Sequence, residues 1–223
     1  MDDDEPDLDI KLDQFGDSTS QQRELSPTIF LPESKVPANI KKSSETWEDG
    51  ISFDNEGITD NLGKLLDAAE HGRVNEVKEL LAKYPRLHEG CDADGYSALH
   101  RASYEGHVDV AKVLLTYGAN VMATTHDGWH PLHSACRWGQ VEAASLLLQN
   151  GANINALTNG KQTPLHLAAL GIGGTATLKL LLFNRRLDAT ILNTQGETAR
   201  DIANRSGKWV DLFEAVEESM NVQ

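Results

Sequence analysis

The apolar positions of this chain recur in a fixed pattern rather than along one continuous helix or strand. A short run ending in Leu-His appears at residues 95–100, 128–133 and 161–166, and its histidines are spaced by 33 residues. A second run, at residues 114–120, is matched at residues 147–153. Self-similarity at a fixed period is typical of stacked repeats, in which a single unit cannot bury its apolar face alone.

Two degenerate copies flank the three clear ones. Residues 65–72 align with the segment around His100 at an offset of 34, and residues 196–203 form a further copy displaced by two extra residues. We predict a domain of residues 59–218, with repeats at about 59–91, 92–124, 125–157, 158–191 and 192–218. Its first helix is expected to begin at Thr59 or Asp60, because both are good N-caps.

Helix-start and helix-stop residues fall at matching places in the repeats. Pro131 and Pro164 stand where a first helix would start, a position at which the missing N–H costs nothing and φ is preset. Gly118 and Gly151 follow the second helix, where a left-handed residue ends it. The sequence therefore predicts two short helices per repeat.

The segment Thr163-Pro164-Leu165-His166 and its copies at a period of 33 resemble the ankyrin repeat over about residues 59–216. The resemblance implies an all-α ankyrin-repeat solenoid of four to five helix-turn-helix repeats with β-hairpin-like turns. It also implies a protein-interaction scaffold or adaptor that is not an enzyme. Residues 127–138 and 197–203 resemble one ankyrin protein in particular, which implies a link to gene expression and a nuclear location.

In the ankyrin architecture, the hairpin tips and the exposed side of the first helices line one concave surface. Carried over position by position, this places eight candidate partner-binding residues there: Tyr96, Tyr104, Trp129, Trp138, Arg137, Asp94, Asp127 and His126. Trp129 and Trp138 are expected to be the most exposed rings, and Leu170 and Gly171 form the corresponding exposed pair of the fourth repeat. Tyr, Trp and Arg dominate binding hot spots. The alternative is that some rings only pad neighbouring hairpins or cover the tail.

The recurring histidines invite a metal or catalytic interpretation. Stacked helices lie about 8–10 Å apart, whereas a zinc–histidine bond is about 2.0–2.1 Å, so His100, His133 and His166 cannot easily share a metal. We interpret them as structural, with each imidazole bonding the hairpin backbone. Ser134 and Cys136 lack a specified base, so the sequence predicts no catalytic residue, no metal and no cofactor.

Residues 1–58 differ from the rest of the chain because they carry 15 Asp or Glu against 5 Lys or Arg. Such a segment buries too little apolar surface to offset its ordering entropy, so we predict a disordered acidic tail. Apolar residues interrupt it at 29–32 and at Trp47, Ile51 and Phe53. They are either a docking motif, a stretch that packs on the repeats, or scattered linker residues. A tail of this kind also favours an alternative function, a nuclear transcription co-regulator with an acidic activation segment.

The formal net charge of −14 argues against direct nucleic-acid binding, which needs a surplus of Lys and Arg. The chain has no secretory signal pattern and no apolar stretch long enough for a bilayer, so an intracellular protein without membrane contact is expected. We predict a monomer that binds an unidentified protein partner. The ankyrin resemblance adds one candidate modification, because Asn155 occupies the position that asparaginyl hydroxylases modify in many ankyrin proteins.

Overall fold

The computed structural model describes residues 55–171 and 174–221. The predicted acidic tail, with its apolar residues at 29–32 and 47–53, therefore lies almost entirely outside the described residues. Within them the chain is helical, and an isolated antiparallel bridge between Cys91 and Ser97 is the only β-type pairing found there.

Ten α-helices follow one another in five antiparallel pairs in the described part of the chain. Their bounds are Asn55–Glu70 (α1), Val74–Lys83 (α2), Ala98–Glu105 (α3), Val108–Thr116 (α4), Pro131–Arg137 (α5), Val141–Gln149 (α6), Pro164–Leu170 (α7), Gly174–Leu182 (α8), Ala199–Ser206 (α9) and Val210–Asn221 (α10). A short 3-10 helix, Pro85–Glu89, follows α2. The predicted all-α repeat solenoid is confirmed, with five helix pairs.

The helices form two layers. The first helices of the pairs, α1, α3, α5, α7 and α9, pack side by side in what we call the inner layer, and α2, α4, α6, α8 and α10 form the outer layer. Leucines fill the space between the layers, and Leu65, Leu99, Leu132 and Leu165 are almost fully buried at equivalent places. None of the described helices has the length and apolar character needed to cross a membrane.

Local sequence signals explain where the inner helices begin. Ser97, Thr163 and Thr198 cap α3, α7 and α9, and each side chain accepts a hydrogen bond from the backbone N–H three residues on. Pro131 and Pro164 occupy the first helical turn, as the sequence predicts.

The first helix is longer than expected. It begins at Asn55, before the predicted caps Thr59 and Asp60. The first repeat lacks the hairpin sequence that precedes the inner helices of the other repeats. Leu62, in the part of α1 that the sequence predicts, is buried against Gly90 just after the 3-10 helix. Burial of this leucine holds α1 against the end of the first repeat, since shielding a leucine side chain contributes about 1.5–3 kcal/mol.

Candidate partner-binding surface

The hairpins between repeats stack tip to tip. Each is closed by a backbone hydrogen bond to its tip residue, such as the bond from the Thr125 N–H to the Trp129 carbonyl at 2.9 Å. Neighbouring tips are then tied to each other, because the His126 N–H donates to Asp94 O at 3.0 Å and the Asn159 N–H donates to Asp127 O at 3.0 Å. The tips and the exposed side of the inner helices together form the inner surface.

Close stacking of the tips requires glycine. Gly95 and Gly128 have φ values of 88° and 77°, in the left-handed region that side chains disfavour. A Cβ atom on Gly128 would lie 2.9 Å from the backbone nitrogen of Asn159 in the next hairpin. The glycines therefore serve both the turn and the approach of the following tip.

The three recurring histidines link each repeat to the next. Nδ1 of His100 accepts hydrogen bonds from the Ser97 N–H and hydroxyl, at 3.2 and 2.9 Å, and Nε2–H donates to Trp129 O in the following hairpin at 3.0 Å. His133 makes the corresponding bonds to His130 and to Gln162 O, and His166 makes them to Thr163 and to Glu197 O. This pattern requires the neutral imidazole with its proton on Nε2.

Burial keeps these imidazoles neutral. It lowers the pKa of His100 and His133 to about 4 in each case, and it lowers the pKa of His166 as well. The sequence predicts bonding to the hairpin backbone, and the structure adds that the carbonyl acceptor belongs to the next repeat.

The four candidate aromatic residues fall into two pairs with different surroundings. The rings of Tyr96 and Trp129 lie over the histidines of their own repeats, with centroids 5.7 Å from His100 and 6.3 Å from His133. The rings of Tyr104 and Trp138 instead contact each other across two repeats, with centroids 4.7 Å apart. Tyr96 and Trp129 thus each contact the inner helix of their own repeat, whereas Tyr104 and Trp138 join two repeats.

The expectation that Trp129 and Trp138 are the most exposed rings is wrong. Both are half-buried, whereas Tyr104 has 39% of its surface exposed. Trp129 lies over an imidazole, and Trp138 is partly covered by Tyr104 and by Arg137, whose guanidinium carbon is 5.5 Å from the ring centre. Tyr104, Arg137 and Trp138, which we call the aromatic cluster, therefore form one platform.

The cluster ends against the fourth repeat. Arg137 donates from Nη1 to Leu170 O at 3.1 Å, and burial lowers the pKa of its guanidinium. Gly171, expected to be exposed, is buried. It packs so closely against Arg137 that a Cβ atom on it would lie 2.6 Å from Arg137 O. The fourth repeat thus contributes a close backbone approach at this point rather than a contact side chain.

Carboxylates surround the hairpin end of the inner surface. Asp94, Asp127 and His126 are exposed at the tips. Partial burial raises the pKa of Tyr96, and the charges of Asp127, Asp92 and Asp94 raise it further. The phenol therefore stays protonated among these carboxylates as a hydrogen-bond donor.

An ion pair that sequence reasoning missed links the first two repeats. Arg101 on α3 binds Glu70 at the end of α1 and Asp92 in the hairpin, the latter at 2.8 Å. In the sequence, this ion pair is indicated only by Arg101 itself, an arginine directly after the Leu-His motif. Its side chain is less than one-third exposed, so it fixes the edge of the inner surface more firmly than a fully exposed pair would.

The groups that resemble catalytic residues lie in the core. Cys136 is buried, and burial raises the pKa of its thiol, so no thiolate nucleophile forms near neutral pH. Ser134 is likewise buried on α5. Among the described residues, no group of three or more His, Cys, Asp or Glu side chains could hold a metal ion.

Asn155 is held by the following repeat. Its side-chain N–H donates to Arg186 O at 2.8 Å, and its side-chain oxygen accepts from the Asp188 N–H at 2.9 Å. A hydroxylase acting on this residue would first have to open the loop at 186–188. Hydroxylation of Asn155 stays a prediction, and a gain of one oxygen atom in the peptide that contains it would support it.

Two models of ankyrin repeats match this chain, over residues 65–115 and 99–148 and over residues 147–203. The chain belongs to the ankyrin-repeat family. Ankyrin repeats generally mediate protein–protein interaction.

Individual ankyrin relatives extend the match. The chain is 59% identical over 157 residues to Ankyrin repeat domain-containing protein 49 of Bos taurus, covering 70% of this chain and 66% of that relative, slightly less than two thirds of its length. The protein of the same name from Drosophila melanogaster is 45% identical over 213 residues, covering 94% of this chain and 98% of the relative. The one from Mus musculus is 43% identical over 231 residues, covering 99% and 95%.

Proposed function

We propose that this protein is an interaction scaffold without catalytic activity, and that it binds a protein partner on the concave inner surface, centred on the aromatic cluster. The observation that carries the proposal is the contact of Tyr104 and Trp138 across two repeats, with ring centroids 4.7 Å apart and Tyr104 still exposed. Exposed Tyr and Trp beside Arg are the residues that supply most binding energy in protein interfaces.

The surroundings of the cluster favour a protein ligand. Glu105 is exposed next to Tyr104, and Asp94 and Asp127 are exposed at the neighbouring tips. A partner that presents an apolar side chain to the rings and donors or cations to these carboxylates would fit both features. A monomer is part of this proposal, because the five repeats close their own core.

Tyr104→Ala is the sharpest single test of the proposal. Its ring is more exposed than that of Trp138, and the Gln140 side chain bonds its backbone oxygen, a contact that the substitution keeps. We expect the affinity for the partner to fall by about tenfold or more, the loss typical of a hot-spot residue. The measurement is affinity capture with mass spectrometry, followed by titration calorimetry with the captured partner.

Phe183→Ala is the matched control, because Phe183 is 66% exposed at the end of α8 and outside the inner layer. Circular dichroism would show that both variants keep the wild-type helix content. A partner that binds wild type and Tyr104→Ala equally would contradict the concave site. A partner lost by both variants would show non-specific apolar binding and would contradict it too.

A second candidate function rests on the acidic sequence before α1. Ile29, Phe30, Trp47, Ile51 and Phe53 stand among acidic residues, a composition typical of activation segments. In this alternative the protein is a nuclear co-regulator of transcription. Residues 1–58 fused to a DNA-binding module should then activate a reporter, and an inactive fusion would leave the scaffold as the function.

A further inference from the structure

A groove runs along the outer layer, away from the inner surface. It has a volume of about 560 Å³ and lies between the second half of α2 and the second half of α4. Ala82, Val113 and Tyr117 supply its apolar lining, with Ala82 exposed and the other two half-buried. Because all lining residues belong to the outer helices or follow them directly, the groove is separate from the aromatic cluster.

Two lysines stand on the rim of the groove, in a chain that is acidic overall. Lys78 and Lys112 line it, against the single carboxylate of Glu79. Lys112 has an exposed partner in Asp109 at 3.3 Å, and Lys78 makes no ion pair within the part of the chain that the structure describes. A ligand with bulky apolar side chains and several carboxylates would complement both the lining and the rim.

The chain enters the repeats beside this groove. Leu62 on α1 lies against Gly90, which ends the 3-10 helix that directly follows α2. The middle of α1 is therefore next to the segment that follows α2, whose end carries Ala82 on the groove, and Asn55 lies about 10 Å further along α1. Whatever precedes Asn55 starts at the same end of the molecule.

The residues before Asn55 have the matching chemistry. Trp47, Ile51 and Phe53 are bulky and apolar, and residues 45–54 also hold Glu45, Glu48, Asp49 and Asp54 but no Lys or Arg. An extended chain spans about 3.3 Å per residue, so Trp47 reaches up to roughly 26 Å from Asn55. Packed helices are about 8–10 Å apart, so both α2 and α4 fall within the reach of Trp47, whereas Phe53, two residues from Asn55, reaches only about 7 Å.

We propose that residues 45–54 fold back in the same chain and fill the groove between α2 and α4, with Trp47 and Ile51 on its apolar lining and neighbouring carboxylates on Lys78 and Lys112. The docked segment covers the outer face of the first two repeats and leaves the inner surface open. This inference does not depend on the proposed concave site.

The first test compares the full chain with the variant Trp47→Ala/Ile51→Ala. We expect the variant to shift the backbone amide signals of Val113 and Tyr117 in NMR spectra and to make these amides exchange faster with solvent. Ile29→Ala/Phe30→Ala is the matched control and should leave both amides unchanged. Unchanged signals in the first variant, or equal changes in both, would overturn the proposal.

Charge reversal separates a specific contact from general apolar association. Lys78→Glu/Lys112→Glu should reproduce the amide changes, and combining it with Glu48→Lys/Asp49→Lys should restore the wild-type spectrum. No restoration would overturn the assigned ion pairs. Wild-type signals that change on dilution would show a second copy of the chain, rather than the same chain, in the groove.

Discussion

Lys161 stands where three other hairpin tips have glycine. The equivalent residues Gly95, Gly128 and Gly196 all have positive φ, and Lys161 shares this conformation with a φ of 55°. A residue with a side chain loses roughly 1–2 kcal/mol in this region relative to its preferred conformation. Glycine avoids that loss but costs about 0.5–1 kcal/mol of unfolded-chain entropy.

Lys161→Gly should therefore raise the free energy of unfolding, by up to about 1 kcal/mol. The measurement is urea denaturation, read as a higher midpoint with an unchanged slope. Gln162→Gly is the neighbouring control, because Gln162 does not have a positive φ. It should lower stability, and a loss in both variants would show that Lys161 is not strained.

The residue pattern predicts some features and leaves others open. Periodic leucines and histidines predict which side chains are buried, because each must meet the next repeat. The sequence also shows a lysine in a glycine position, but not whether the backbone keeps its left-handed turn there. The partial burial of Trp138 was missed for a similar reason, since it depends on contact between rings from two repeats.

At the scale of the elements, hairpin stacking can be isolated from turn strain. Gly128 and Gly196 occupy the same tip position with φ values of 77° and 76°. A Cβ on Gly128 would meet the next hairpin at 2.9 Å, whereas a Cβ on Gly196 would meet nothing within 4 Å. Alanine at either place carries the same backbone strain, so a difference between them measures the packing of one hairpin on the next.

We expect Gly128→Ala to lower the free energy of unfolding by about 1–3 kcal/mol more than Gly196→Ala, the usual cost of overpacking. Urea denaturation followed by circular dichroism gives both values. Equal losses would mean that the hairpins separate without cost, and the backbone bonds between tips would then contribute little to stability.

The sequence predicts helix ends well where a capping residue or a proline marks them. It predicts them poorly where no such residue is present. Pro131 and Thr163 start α5 and α7 as expected. The last repeat has Asp201 in place of the recurring histidine, and its carboxylate accepts from the Thr198 N–H at 2.8 Å, so a different residue type completes the same cap. The start of α1 at Asn55 could not be predicted, because no proline or hairpin sequence marks it.

At the scale of the whole molecule, the stacked histidines make stability depend on pH. His100 and His133 are buried and neutral, and their pKa is lowered to about 4. In the unfolded chain their pKa returns to about 6.5, so the unfolded state takes up protons first as the pH falls. Stability should therefore fall between pH 6.5 and about 4 and stop falling on their account below that.

Each of these two histidines contributes a slope of at most about 1.4 kcal/mol per pH unit inside this window. Asp201 affects only lower pH, since bonds from Thr198 lower a pKa whose ordinary value is 3.8. Urea denaturation from pH 7 to pH 4.5 gives the slope of the free energy of unfolding against pH. His133→Asn should reduce this slope by the contribution of one histidine, at most about 1.4 kcal/mol per pH unit. Equal slopes in the two proteins would mean that His133 is protonated in the folded stack, and the bond of Nδ1 to the His130 N–H could not then exist.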